Sequence, residues 1–514
     1  MIASLHPILR EAIRRTDPAV RPGSPVPLPT ALGLFRAFDD AGVVYCQFKS
    51  NEHLVEGLAG LTDLDLLVDH WQARAAQAVL MGCGFKRFAS LLAGSYPAVE
   101  DYLGYDTRAG RLIHIHLHYA LVAGESHLKG YQLRLAEALL AGRVVDPATG
   151  VCISDPDLEM ELLLIRSALK LRWRDGVLEL LGVPFVRESV LREHRWLAGR
   201  IDRERVWANA AQRLGPEAAA ELRSMLADPP TIRGLRRLRS RAMPALADQR
   251  TYGRAGALLM RLTREAAWWF SVANRRLFRL PIAARRRNPI GGLVVAFLGP
   301  DGCGKTTLAR EVRVWLGWKV DVYPAYFGSG DGPVSLLRWP LKAALRLHRR
   351  FRFGGSRQPG EGDGRIRALR WVWASALALE KRSRMRACVR ARHRGMVVVC
   401  DRFPQIQVTG FNDGPLLAAW LDGGPGWRRR IARWESEAYS ALCRNVPDLA
   451  IKLRVSPEVA IARKPGVQAA EIRRRLEALS RIDYGKRCDH LVIDADRPIE
   501  QVLAEVKQAI WERL

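Results

Sequence analysis

The chain has no run of eighteen or more apolar residues and no cysteine pair spaced C-x-x-C. The first absence excludes an ordinary membrane-spanning helix. The second leaves Cys46, Cys83, Cys152, Cys303, Cys388, Cys400, Cys443 and Cys488 scattered, which fits reduced thiols and neither a disulfide framework nor a zinc site. The opening "MIASLHPILREAIRRTDP" lacks a signal-peptide core and cleavage site, so a cytoplasmic protein is expected. No internal repeat is visible. Acid is scarce: 53 Asp and Glu stand against 81 Lys and Arg, a formal net charge of +28. Such an excess attracts nucleic acid, anionic lipid or phosphorylated small molecules without choosing among them. An arginine-rich proteome would give the same figure.

What is present reads as globular. Apolar residues make up 48% and charged residues 26%, and 514 residues suffice for two or three cores. "GVVYCQF" (42–48), "LDLLVD" (64–69) and "RLIHIHLHY" (111–119) have strand character, and "HWQARAAQAVLMGCGF" (70–85) reads as a helix closed by glycine. From about 156 the pattern turns helical. "RLPIAARRRNPIGG" (279–292) mixes Pro, Gly and an arginine triplet, after which strand and helix signals alternate to the end. The expected organisation is an α+β domain over 1–150, a basic helical region over 151–280, a linker over 281–292 and an α/β domain over 293–514.

"VVAFLGPDGCGKTTLAR" (294–310) sets a glycine-rich loop between an apolar strand and a helix. Gly299, Gly304, Lys305 and Thr306 fit G-x-x-x-x-G-K-S/T. Glycines let successive N–H groups curl around an anion, and the following helix adds the positive end of its dipole. Gly299, Asp301, Gly302, Cys303, Gly304, Lys305, Thr306 and Thr307 are therefore expected to hold ATP. Lys305 would reach the β- and γ-phosphates and the Thr306 hydroxyl would ligate Mg²⁺. In "GMVVVCDRFP" (395–404), Asp401 falls at a strand's carboxyl end, where open α/β sheets bind ligands. Asp401 is expected to hold Mg²⁺ or accept a proton, and Arg402 to grip an acceptor phosphate.

Together "GPDGCGKTT", "CDRFP" and "PDLAIKLRVSPEVAIARKP" resemble the thymidylate kinase group of nucleoside-monophosphate kinases, over roughly 293–514. The resemblance implies a P-loop parallel sheet flanked by helices, ATP and Mg²⁺ as cofactors, and phosphoryl transfer from ATP to a nucleoside monophosphate or related small acceptor. It implies that Asp301 faces the acceptor and that Asp401 and Arg402 lie between two nucleotides. "RKPGVQAAEIRRRLEAL" (463–479) matches the family's lid, so Arg463, Arg473, Arg474 and Arg475 are candidates for the arginine that neutralises transition-state charge, with Arg473 taken as catalytic. Gly302 stands where some members carry arginine, so the lid must supply that group. Where the family has R-E-P-G-G this chain reads "DVYPAYFGSGDG" (321–332), followed by an expected flexible loop, "RRFRFGGSRQPGEGDGRIR" (349–367). A phosphate acceptor needs positioning and charge neutralisation; a hydroxyl acceptor needs a carboxylate base, and Asp301 and Asp401 could each serve.

In the front half, Asp63 and Asp65 sit at i and i+2 of one strand, so both can face one divalent cation. "QFKSNEHLVEGLAGLTDLDLLVD" (47–69) resembles the nucleotidyltransferase superfamily, including uncharacterised nucleotidyltransferase-like proteins with a "DLDLLV" strand. That implies metal-dependent nucleotidyl transfer through Asp63 and Asp65, or a degenerate recognition domain. Lys49-Ser50 replaces the family's Gly-Ser, and His114, His116 and His118 stand on a later strand where an acid is usual. Those imidazoles read either as transition-metal ligands or as a solvated strand face. Between 233 and 287, fifteen arginines face two acids, and "REAAWWFSVANRRLFRL" (264–280) interleaves aromatics with arginine. Residues 264–287 are expected to pack on a neighbour or to touch anionic membrane. Nucleic acid ranks last, because no helix-turn-helix spacing or RNA-module signature occurs. The leading expectation is an ATP-dependent kinase acting on a small phosphate acceptor, with a homodimer among the assembly readings. A non-catalytic ATP-binding switch is the third.

Overall fold

Apolar runs and segments of alternating apolar and polar residues mark the strands. The computed structural model describes residues 25–172, 175, 186–328, 364–409, 413–423, 425–466 and 468–514. The opening segment, most of "RWRDGVLELLG", the end of 321–332 and most of 349–367 lie outside the described residues. The chain divides into two compact units. One runs to Arg276 and takes in Ala284–Arg286; the other comprises Leu277–Ala283 and Arg287–Leu514.

The first unit is built on strands β1 (Tyr45–Gln47), β2 (Asp63–Val68), β3 (Lys86–Ser90), β4 (Val99–Asp106), β5 (Arg111–His118), β6 (Leu121–Ala123), β7 (Tyr131–Leu133), β8 (Val144–Val145) and β9 (Cys152–Ile153). In the main sheet the order is β3-β4-β5-β2-β1-β9-β8, with a short edge strand β10 (Arg286–Arg287) beside β3; β6 and β7 form a separate antiparallel pair. β2 and β5 run parallel, with Asp63 opposite His114 and Asp65 opposite His116. β4 runs antiparallel to β5, with Asp101 opposite His116. Alternation sorts the two faces. Leu64, Leu66, Ile113, Ile115 and Leu117 join one core with the helices Pro29–Asp40 and Ala73–Gly82. The other face carries Asp63, Asp65, His114, His116 and His118, and gives way to a second core where Cys46, Phe48 and Leu67 meet the helices behind. Those helices are Pro156–Lys170, Glu188–Ala198, Arg203–Leu214, Pro216–Arg223 and Ile232–Ala242. Pro156–Lys170 is buried nearly all round, as a central helix must be.

The second unit carries β11 (Val294–Leu298), β12 (Val322–Tyr326), β13 (Val397–Asp401), β14 (Leu449–Arg454) and β15 (Asp489–Asp494), ordered β12-β13-β11-β14-β15. All neighbouring pairs are parallel. β11 and β13 are buried at every position, so their sequences are continuous apolar runs without alternation. From β11 the chain passes beyond β13 to reach β12; from β13 it returns past β11 to β14. The crossovers diverge between β11 and β13, which opens a crevice at their carboxyl ends.

Candidate functional site

That crevice holds the glycine loop. β11 ends at Leu298, and after six intervening residues the helix Lys305–Gly317 starts, with Gly304 in a left-handed conformation. A Cβ on Gly302 would lie 2.6 Å from the Ala460 carbonyl oxygen, at φ +85°. Only glycine lets the loop pass there. The Lys305 ammonium is buried and folds back over the loop, donating to the Pro300 carbonyl at 2.5 Å and lying 3.6 Å from Cys303 Sγ. The Thr306 hydroxyl donates to Asp401 Oδ2 at 2.7 Å, so the loop helix and the end of β13 meet at one point. Asp401 Oδ1 is buried and has no hydrogen-bond partner. A hydroxyl beside a carboxylate with one open oxygen is a donor set that fits Mg²⁺. Gly299, Gly302 and Gly304 all adopt positive φ, the backbone freedom a curled phosphate loop needs.

Asp301 organises the other side. Arg402 donates to its Oδ1 at 2.8 Å, Arg475 to its Oδ2 at 3.2 Å, and Lys464 stands 4.0 Å away. Partial burial raises the Asp301 pKa, but Arg402, Lys305, Arg475 and Lys464 together hold it below the ordinary carboxylate value. Arg402 sits at φ +69°, a conformation an arginine adopts at a cost of about 1–3 kcal/mol. Its second partner is Asp413, at 3.6 Å. Lys381 also reaches Asp413, donating to its carbonyl at 3.1 Å with its ammonium 3.8 Å from the carboxylate. Burial pushes the Lys381 pKa down. Of the four lid candidates, Arg475 meets Asp301, Arg463 donates to the Ala495 carbonyl at 2.8 Å, and Arg473 and Arg474 are exposed. Asp413 and Lys381 were not legible beforehand. They lie in an irregular segment and within a long helix, and no motif marks either.

The front unit brings Asp63 and Asp65 together with the three histidines and with an acid that sequence reasoning missed, Asp101 on β4. His114 bridges Asp63 at 2.8 Å and Asp101 at 3.0 Å. His116 lies 3.3 Å from Asp65 and 3.0 Å from Asp101. His118 is 3.6 Å from Asp65, Lys49 pairs with Asp65 at 2.9 Å, and Arg286 Nε lies 2.9 Å from Asp101. The solvated-face reading of the histidines is overturned: His114 and His118 are buried, because β5 is an interior strand whose two faces are both covered. Burial lowers His116, but Asp101 and Asp65 overcome it and push its pKa up to about 9. Burial pushes His118 down to about 4. Asp101 is buried and Asp65 half-buried, yet bonds from the histidines, with Lys49 beside Asp65 and Arg286 beside Asp101, hold both far down. The two sets Asp63–His114–His116 and Asp65–His116–His118 are each close enough to share a metal ion. In the loop that would cradle a triphosphate, the Ser50 amide donates to Glu193 at 3.1 Å and the Asn51 amide to Glu159 at 3.1 Å. Those donors already serve carboxylates.

No family model matches the chain. It is 30% identical over 231 residues to the uncharacterized ATP-binding protein YghR of Escherichia coli K12, a stretch covering 44% of this chain and 90% of that protein. The same values hold for YghR of Escherichia coli O6:H1. For the uncharacterized ATP-binding protein YghS of strain K12 the identity is 27% over 224 residues, 43% of this chain and 93% of that protein. Over that stretch the chain belongs to the family of uncharacterized ATP-binding proteins that includes YghR.

Proposed function

We propose that the second unit binds ATP with Mg²⁺ and transfers the γ-phosphoryl group to a small acceptor that itself carries phosphate, a nucleoside monophosphate or a near relative. The observation that carries this reading is the Thr306–Asp401 bond at the mouth of the β11/β13 crevice, directly beside the Asp301–Arg402–Arg475 cluster. Relatives named as ATP-binding proteins support its ATP-binding part.

Lys305 would exchange its bond to Pro300 for the β- and γ-phosphates, while the loop amides hold the phosphate chain. Thr306 and Asp401 would hold Mg²⁺, which when bound neutralises charge on the phosphates. Arg402 and Arg475 converge on the Asp301 carboxylate, one on each oxygen, and an incoming phosphate monoester would meet these two guanidiniums. A carboxylate held as low as Asp301 is a weak base, so Asp301 serves to aim the arginines. This favours an acceptor that arrives already ionised over a hydroxyl.

Nucleotidyl transfer through Asp63 and Asp65 draws less support, since both carboxylates are engaged and the Ser50 and Asn51 amides bind glutamates. Incubating the purified chain with γ-labelled ATP, Mg²⁺ and a panel of nucleoside monophosphates, nucleosides and sugars tests the reading. Label is expected on a monophosphate and is expected to vanish with Lys305→Ala. Label on no acceptor, with ATP still bound, would overturn the kinase assignment and favour the switch.

A further inference from the structure

The first unit contains a cavity of about 460 Å³ above the β4–β5 acid–histidine cluster, the size of a small-molecule site. Its walls are cationic. Lys49, Lys129, Arg275, Arg285 and Arg286 line it, with Asp101 the single carboxylate among its lining residues. That carboxylate is already paired, to Arg286 at 2.9 Å and to the Ser90 hydroxyl at 2.5 Å. Asp65, just behind, is paired to Lys49. The acids are neutralised within the protein, and the surplus facing the cavity is positive.

Two features show that this arrangement is built. The first is Arg264, itself buried, whose guanidinium holds the carbonyls of Ser95, Leu128 and His127 at 2.8, 3.0 and 3.3 Å. It thereby fixes the loop that carries Lys129. The second is Lys129, which sits at φ +50°, a strained conformation for a residue with a side chain, and stands 5.8 Å from the centre of the Tyr96 ring. Trp268 supplies an apolar wall.

We infer that this cavity is a binding site for a phosphorylated small molecule, held by lysine and arginine without a divalent metal. The site is independent of the kinase reading and reverses the sign of the nucleotidyltransferase resemblance, in which acids and metal hold the ligand. Arginine forks and compact lysine charges suit phosphate oxygens, and such charge-assisted bonds are the strong ones.

Equilibrium dialysis of labelled pyrophosphate against the full chain in EDTA tests this, with Lys305→Ala silencing the phosphate loop. The Lys305→Ala chain is expected to retain one site. Adding Lys129→Ala is expected to weaken it at least about tenfold, the worth of one charge-assisted bond. Arg275 is exposed, so Arg275→Glu separates binding from folding and is expected to weaken the site at least as much. Loss of all binding with Lys305→Ala, or unchanged affinity in Arg275→Glu, overturns the proposal. Binding that needs Mg²⁺ or Mn²⁺ overturns it too, since the carboxylates would then act through a metal. So does displacement of the pyrophosphate by an oligonucleotide but not by a phosphorylated sugar, which would assign the charge to nucleic acid.

Discussion

Arg475 and Arg473 are two residues apart on one helix and differ in what they face. Arg475 binds Glu471 and Asp301 together, whereas Arg473 is exposed. An arginine already aimed at the transfer site contributes by preorganisation, and removing one such donor costs about 10²–10³ in rate. Arg475→Ala is therefore expected to lower the phosphoryl-transfer rate by about that factor, and Arg473→Ala to leave it within about twofold; initial rates at saturating ATP decide. Equal losses would return the catalytic role to Arg473. In the first unit, Glu159 makes a sharper test of burial. Burial pushes its pKa up to about 8, and the neighbouring Glu193 adds to the rise while bonds from Asn51 and Ser154 oppose it. The folded chain then keeps a proton that the unfolded chain loses from about 4.5 upward. This group's contribution to stability accordingly falls as pH rises from 4.5 to 8, by at most about 1.4 kcal/mol per pH unit. Glu52, raised to about 7, slopes the same way, and Lys129, lowered to about 7, slopes oppositely above that pH. Subtracting the denaturation profile of Glu159→Gln from that of the native chain isolates the group. The difference should shrink steadily between pH 5 and 8, and a flat difference would refute the raised pKa.

The helix Arg254–Ala273 is inverted with respect to an ordinary surface helix. Its inward residues Arg264 and Ser271 are polar and buried, while Leu258, Leu259, Leu262, Trp269 and Phe270 are exposed. At 3.6 residues per turn those five fall within about a third of the circumference. Among the described residues no helix is long and apolar enough to cross a membrane. An apolar face bordered by arginine suits the interface of an anionic bilayer. The full chain is expected to float with vesicles containing phosphatidylglycerol, weakly with pure phosphatidylcholine, and not at all with Leu259→Glu and Phe270→Glu. Failure to float with anionic vesicles at low salt would leave this face to a protein neighbour. The sequence announced this helix by its aromatics but not its polarity, because a single buried arginine cannot be told from a solvated one without its partners. The strand–loop–helix from Val294 to Gly317 was legible because its glycines and its apolar run are local signals. Asp101 was not: "VEDYLGYD" carries no motif, and only the antiparallel register of β4 on β5 sets its carboxylate between His114 and His116. Likewise, the burial of His114 depends on β5 being an interior strand, a property of sheet order rather than of the segment.

At the scale of the whole chain, two units with separate cores carry two separate sites, and ligand linkage should tell them apart. A ligand that binds only the folded form of one unit stabilises that unit by about 2.7 kcal/mol at a hundred times its dissociation constant. Strongly protected amides exchange through the largest unfolding event available to them and so report the stability of their own unit. The interior strands β11 and β13 are suitable reporters for one unit, and β2 and β5 for the other. With a non-hydrolysable ATP analogue and Mg²⁺, peptides from β11 and β13 are expected to slow by about a hundredfold in hydrogen exchange, while those from β2 and β5 stay unchanged. Pyrophosphate in EDTA, added to the Lys305→Ala chain, should invert the pattern. If both sets slow together with either ligand, the units unfold as one cooperative body.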